Sequence, residues 1–255
     1  MEMIRQWWRR RQAKRLPFAD NWFAATLARV PAMQSLSSSE RVQLAALARE
    51  FMAGKNMVGA NGLKLDAAIR TRIATLAAWP ALHLGYAALD GWTDLIVYNE
   101  AFRARRRERD PITGVIHEYD QHLAGEAWSS TGPLVLSLHD LTLDLNNPEY
   151  RQNVVVHEIA HKIDGLDGTV NGRPPLHRGM SAQAWADDFG SAYADLVQRL
   201  ERFEHSAINP YAAHSPAEFF AVSSEYHFVH PHVLALQYPK VARHLQQFYG
   251  GAVAV

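Results

Sequence analysis

Residues 154–165 read "VVVHEIAHKIDG", with two histidines four apart and a glutamate directly after the first. At about 100° per residue, positions i and i+4 fall on one face of a helix. His157 and His161 therefore point the same way, one turn apart. Two imidazoles at this spacing can grip one Zn²⁺ at about 2.0–2.1 Å. Glu158 stands beside the first candidate ligand, where a carboxylate can act as general base on a water without occupying a coordination position. The other reading is a histidine pair hydrogen-bonded within a core. Val154, Val155, Val156, Ile159, Ala160 and Ile163 leave the pair in apolar surroundings, where imidazoles need partners to offset lost hydration. A metal ion provides one, and the metal reading is preferred.

Composition narrows the chemistry. The chain has 255 residues, 48% of them hydrophobic, which is enough for a substantial core. It has 26 basic and 26 acidic residues, a balance that argues against direct nucleic-acid binding through a broad basic surface. There is no cysteine, which excludes disulfides, a Cys nucleophile and any Cys-containing zinc site. A zinc site here must use His, Asp or Glu. No signal peptide and no membrane span is read from the sequence, so the simplest expectation is a soluble cytoplasmic protein.

Along the chain, residues 1–20 form a basic arm carrying Arg5, Arg9, Arg10, Arg11, Lys14 and Arg15 beside Trp7 and Trp8. It reads as a solvated terminal segment or, less favoured, a membrane-touching surface. Residues 21–255 read as a single domain. "SLSSSERVQLAALAREFMAG" (35–54) places Val42, Leu44, Leu47, Ala48 and Phe51 near helical spacing, with Gly54 as a stop. "LDAAIRTRIATLAAWPAL" (65–82) predicts a second helix ending near Pro80. "DLIVYNEAF", "GVIHEYDQHLAGEAWSS" and "GPLVLSLHDL" read as strands between turn residues. Helices return at 153–164, about 181–205, 215–229 and 237–249. The expected fold is α+β, a mostly helical zincin-like domain with a small mixed sheet beside the histidine helix.

A catalytic zinc site needs three protein ligands and an open position. His117 and His122, five apart, do not share a face on a helix or a strand and read as non-ligands. Asp167 and His177 follow the histidine helix closely enough to be candidates. So does Glu218 in "NPYAAHSPAEFFAVSSEYHF" (209–228), at the start of what reads as an amphipathic helix. Ser215-Pro216-Ala217-Glu218 also fits a helix cap, with Ser at N-cap, Pro at N1 and Glu at N3. Glu225, two turns further on, is either a substitute ligand or a carboxylate holding a histidine N–H. Asp164 reads as orienting a ligand or ending its helix. The loop 165–179, "GLDGTVNGRPPLHRG", reads as a candidate cover over the site. "GEAWSS" or "GPLVLS" reads as an edge strand able to pair with an extended peptide.

"VVVHEIAHKIDG", "PYAAHSPAEFFAVSSEY", "GEAWSSTGPLVLS" and "GPLVLSLHDL" together resemble the Mlc titration factor A family of bacterial zinc peptidases. The two C-terminal motifs are the specific ones. The basic, Trp-bearing start matches the family pattern poorly, and nothing is carried onto it. The resemblance implies one Zn²⁺ per chain on His157, His161 and Glu218, with Glu158 as general base. It also implies a catalytic role for Tyr211, which otherwise reads as a loop tyrosine. It further implies gluzincin-like peptidase chemistry of aminopeptidase type on a peptide or protein substrate, and binding of an Mlc-like transcriptional repressor. The competing class is a regulatory protein-binding module that sequesters such a regulator, with zinc mainly structural.

Overall fold

The structure, a computed structural model, describes residues 2–100, 131–147 and 152–250. The expected strand 114–130, with His117 and His122, lies outside these residues. Helix α1 (Glu2–Ala13) lies against α4 (Ser38–Gly54), with α2 (Asp20–Arg29) and the single turn α3 (Pro31–Gln34) between them in the chain. Arg9 anchors α1: its guanidinium lies 3.3 Å over the Tyr86 ring and within 3.5 Å of both Glu50 and Asp90. Helix α4 begins with a reciprocal cap. Glu40 N–H donates to Ser37 Oγ, and Ser37 N–H donates to Glu40 Oε2. Leu44, Leu47, Ala48 and Phe51 form its buried stripe, whereas Val42 is exposed.

Strands β1 (Asn56–Gly59), β2 (Asp94–Tyr98) and β3 (Leu134–Ser137) form a sheet in that order, parallel throughout among the described residues. Met57 pairs with Leu95, and Leu95 with Leu134; all three are buried. Parallel neighbours need a long crossover. The connection from β1 to β2 contains α5 (Ala67–Ala78), capped by Asp66, whose side chain accepts from Ile69 N–H.

Two expectations change here. "GPLVLSLHDL" is strand only to Ser137, where the Ser137 side chain accepts from Asp140 N–H and starts helix α6 (Leu138–Asn146). The cap ends the extended run, and Leu138, Leu141 and Leu145 then follow helical spacing. The expected helix 237–249 is present as α11 (Pro239–Tyr249), and an unexpected short helix, α10 (Pro231–Gln237), precedes it; each has proline at its first position.

Helix α7 (Val154–Asp164) packs between α5, β3 and α9 (Pro216–Val229). The long α8 (Ala182–Glu201) packs on α9 and α11 from the other side. Helix α9 is not amphipathic: every residue from Ala217 to His227 is buried. A helix buried on all faces belongs at the centre of a fold. Polar side chains on it, Glu218 and Glu225 among them, must therefore find partners inside the protein.

Candidate metal centre

Two helix caps aim the cluster. Asn153 caps α7 by accepting from Val156 N–H, and Ser215 caps α9 by accepting from Glu218 N–H. His157, His161 and Glu218 are the one group among the described residues whose side chains converge as metal ligands do. His157 Nε2 and His161 Nε2 are 3.2 Å apart. Glu218 Oε2 lies 3.1 Å from the first and 3.4 Å from the second. Ligand atoms about 2.0–2.1 Å from a tetrahedral ion sit about 3.3–3.4 Å from one another, so the triangle has the size of one face of such a site.

The protonation pattern supports the same use. His157 Nδ1 is 2.7 Å from Glu225 Oε1. An ionised carboxylate only accepts, so Nδ1 carries a proton, and Nε2 is left facing the cluster, where it holds either a second proton or a metal ion. Glu225 Oε2 meanwhile accepts from Asn153 N–H at 2.6 Å, which ties the start of α7 to α9. Glu218 Oε2 is buried, and the polar atoms it faces are the two imidazole nitrogens. Electron-rich atoms gathered in a buried place demand positive charge. Burial opposes an imidazolium at His157, but Glu218 and Glu225 overcome this and raise its pKa to about 10. Burial also works against ionised Glu218, but bonds with His157 and His161 hold its carboxyl far below the usual carboxylate range. A divalent cation would satisfy all three groups, so the residues fit a metal.

The surrounding side chains are now placed. Tyr211 sits on the 3₁₀ turn Pro210–Ala213, and its hydroxyl donates to Glu218 Oε1 at 2.9 Å. Its ring centroid is 6.0 Å from that of His157. Glu158 is half-buried on α7. Lys162, one turn on, is buried, and its ammonium donates to Gly132 O at 2.8 Å, just before β3. Burial pushes the Lys162 pKa down to about 8, with the Glu158 charge opposing the shift. Among the described residues β3 is an edge strand, and it lies beside α7. "GEAWSS" lies outside the described residues.

The remaining ligand candidates are elsewhere. His177 Nε2 donates to Phe248 O at 2.7 Å, and the Asp167 carboxylate accepts from Thr169. Glu225 is the carboxylate that holds a histidine, not a member of the converging trio.

Asp164 is fully buried and accepts from Gly172 N–H at 2.7 Å. Gly172 O in turn accepts from Trp185 Nε1 at 3.1 Å. A Cβ on Gly172 would lie 2.4 Å from Pro216 O, so this glycine lets the loop touch the start of α9 two residues before Glu218. Sequence reasoning missed Gly172 and Trp185. The Asn171-Gly172 pair was a local turn signal, but its contact with Pro216 is long-range.

A helix bearing His-Glu-x-x-His, joined by a buried glutamate from a second helix, defines the metallopeptidase class. The sequence profile of the glucose-regulated metallo-peptidase M90 family matches residues 4–250, and the chain belongs to that family. It is 32% identical over 252 residues to Mlc titration factor A of Escherichia fergusonii, covering 97% of this chain and 92% of that protein. It is 34% identical over 237 residues to Mlc titration factor A of Pectobacterium atrosepticum, covering 90% and 85%. An uncharacterized protein of Synechocystis is 34% identical over 242 residues, covering 95% and 88%. The family match includes most of the basic start, on which the motif resemblance was poor.

Proposed function

We propose that this chain is a zinc-dependent peptidase of aminopeptidase type. His157, His161 and Glu218 hold the ion, Glu158 is the general base and Tyr211 assists. The observation that carries the proposal is the buried triangle of His157 Nε2, His161 Nε2 and Glu218 Oε2, with edges of 3.1–3.4 Å. Zinc held there would supply Lewis acidity, polarising a scissile carbonyl and lowering the pKa of water toward about 7. Glu225 fixes the His157 tautomer so that Nε2 faces the ion. Glu158 takes a proton from the attacking water and later delivers it to the leaving amine. The Tyr211 hydroxyl, which now donates to Glu218 Oε1, turns its donor toward the oxyanion that develops on the carbonyl. Strand β3 offers its edge to an extended peptide, and Lys162 fixes the start of that strand through Gly132 O.

The second function, capture of an Mlc-like repressor, is suggested by the name Mlc titration factor A that relatives carry. It is compatible with catalysis in one cytoplasmic protein. A purely structural zinc would call for four protein ligands, and only three groups converge among the described residues. That favours an open, catalytic position.

The decisive experiment measures zinc content together with hydrolysis of aminoacyl and internally quenched peptides, for wild type and Glu158→Gln. The variant should keep its zinc and lose about 10²–10⁴-fold in rate. Wild-type cleavage by the variant would rule out the mechanism. Preferential cleavage of the internally quenched peptides would overturn the aminopeptidase assignment alone.

A further inference from the structure

We propose that helix α1 docks this protein onto anionic phospholipid surfaces. Six basic residues, Arg5, Arg9, Arg10, Arg11, Lys14 and Arg15, fall within an eleven-residue stretch, and no acidic residue lies between Glu2 and Asp20. The whole chain balances 26 basic against 26 acidic residues, so the remainder is net negative by the same six. Charge of one sign is thus concentrated on α1 and the turn that follows it.

The helix divides that charge between two faces. Arg9 turns inward onto Glu50 and Asp90 with Ala13 buried beneath it, while Arg10, its side chain 61% exposed, leans across to Glu50 from the side of the helix. Trp7, Trp8 and Arg11 occupy the opposite face, with Lys14, Arg15 and Leu16 exposed in the turn that follows. Trp7 and Trp8 are 53% and 54% exposed, and Leu16 is 37% exposed. No carboxylate of the described residues pairs with Arg11, Lys14 or Arg15; the Arg11 guanidinium instead lies 5.3 Å from the Trp7 ring.

Two half-exposed indoles ringed by unpaired cations match the boundary of an anionic bilayer. There the apolar ring bodies enter the acyl edge, the indole N–H groups stay hydrated, and the cations meet lipid phosphates. Because α1 lies flat along α4, its outer face can lie in the plane of such a surface. A single-stranded nucleic acid is the weaker match. The two rings meet edge to face, with centroids 5.4 Å apart and planes at 85°, so they cannot offer parallel platforms to successive bases. Nor is this a membrane span: no helix among the described residues is long and apolar enough to cross one.

The test is co-sedimentation of the full chain with vesicles of phosphatidylcholine alone or mixed equally with phosphatidylglycerol, beside a fluorescence assay with single-stranded RNA. Binding is expected only to the mixed vesicles, weakening as salt rises. One cation near an anionic bilayer is worth about fivefold in partitioning, so the combined Arg11→Glu, Lys14→Glu, Arg15→Glu variant should lose about a hundredfold or more. The Trp7→Ala, Trp8→Ala variant should lose about tenfold or more. All five positions are exposed, so both variants should keep the wild-type circular dichroism spectrum and the wild-type rate on a soluble peptide. These solution readouts separate failure of docking from failure of the peptidase proposal. Equal binding to both vesicle types, unchanged binding by both variants, or tighter binding to RNA than to vesicles would overturn the proposal.

Discussion

At the scale of single residues, the centre depends on a division of labour between two glutamates on one helix. Glu218 places one oxygen against both imidazoles, while Glu225 uses both of its oxygens elsewhere, on His157 Nδ1 and Asn153 N–H. The two should therefore fail differently. Glu218→Ala removes one of three donors and should abolish stoichiometric zinc binding. Glu225→Gln keeps the shape but cannot accept from both donors at once, because its amide nitrogen is itself a donor. Its zinc affinity should fall about 10–100-fold, as when other metal-bound histidines lose their carboxylate partner. Competition with a chromophoric chelator measures both. Equal affinities for Glu225→Gln and wild type would reduce Glu225 to a helix tether.

At the scale of elements, the site depends on how the loop after α7 meets the start of α9. Gly172 has φ +85°, donates to Asp164, and leaves no room for a side chain against Pro216 O. Gly168, in the same loop, has φ +96° but nothing within 4 Å of a built Cβ. Gly168→Ala should cost only the left-handed strain of about 1–2 kcal/mol. Gly172→Ala adds the displacement of Pro216, so denaturant unfolding should show a larger loss, and zinc affinity should drop because Glu218 follows directly. If the two variants unfold alike, the contact with Pro216 carries no stability. This juncture also separates what the sequence disclosed from what it withheld. Spacing within one helix exposed His157, Glu158 and His161, and the Ser215 cap marked the start of α9. Glu218 stayed ambiguous because its backbone and side chain act separately: the N–H completes the Ser215 cap while the carboxylate turns into the cluster. Strand β1 and helix α6 were missed because four residues of strand carry too little alternation and Ser137 caps inside an apolar run. The character of α9 was misread because polar residues on it face buried partners, not water.

At the scale of the whole molecule, α9 is the buried axis, so its titration should govern acid stability. His227 is buried and stacks on Tyr249 of α11, with centroids 5.4 Å apart and planes at 24°. Burial lowers its pKa to about 4 from the usual 6.5. Between those values the unfolded chain binds the proton that the folded chain refuses, so stability is lost as pH falls from about 6.5 toward 4. Asp164 pulls the other way. Burial raises its carboxyl to about 6, so over the interval from 3.8 to 6 the folded state holds the extra proton and stability falls as pH rises. The two effects partly cancel in wild type, and a single acid transition would conceal both. Replacing His227 separates them, because Asp164 is common to both chains. His227→Phe keeps a ring against Tyr249 and removes the titration. Between pH 7 and pH 5 wild type should lose about 2 kcal/mol more stability than the variant, a difference that urea unfolding at the two pH values resolves. The comparison is best made on chelator-treated protein, so that proton competition for the metal ligands does not enter. If both chains lose the same stability between these pH values, His227 is not held neutral by the packing of α9 against α11.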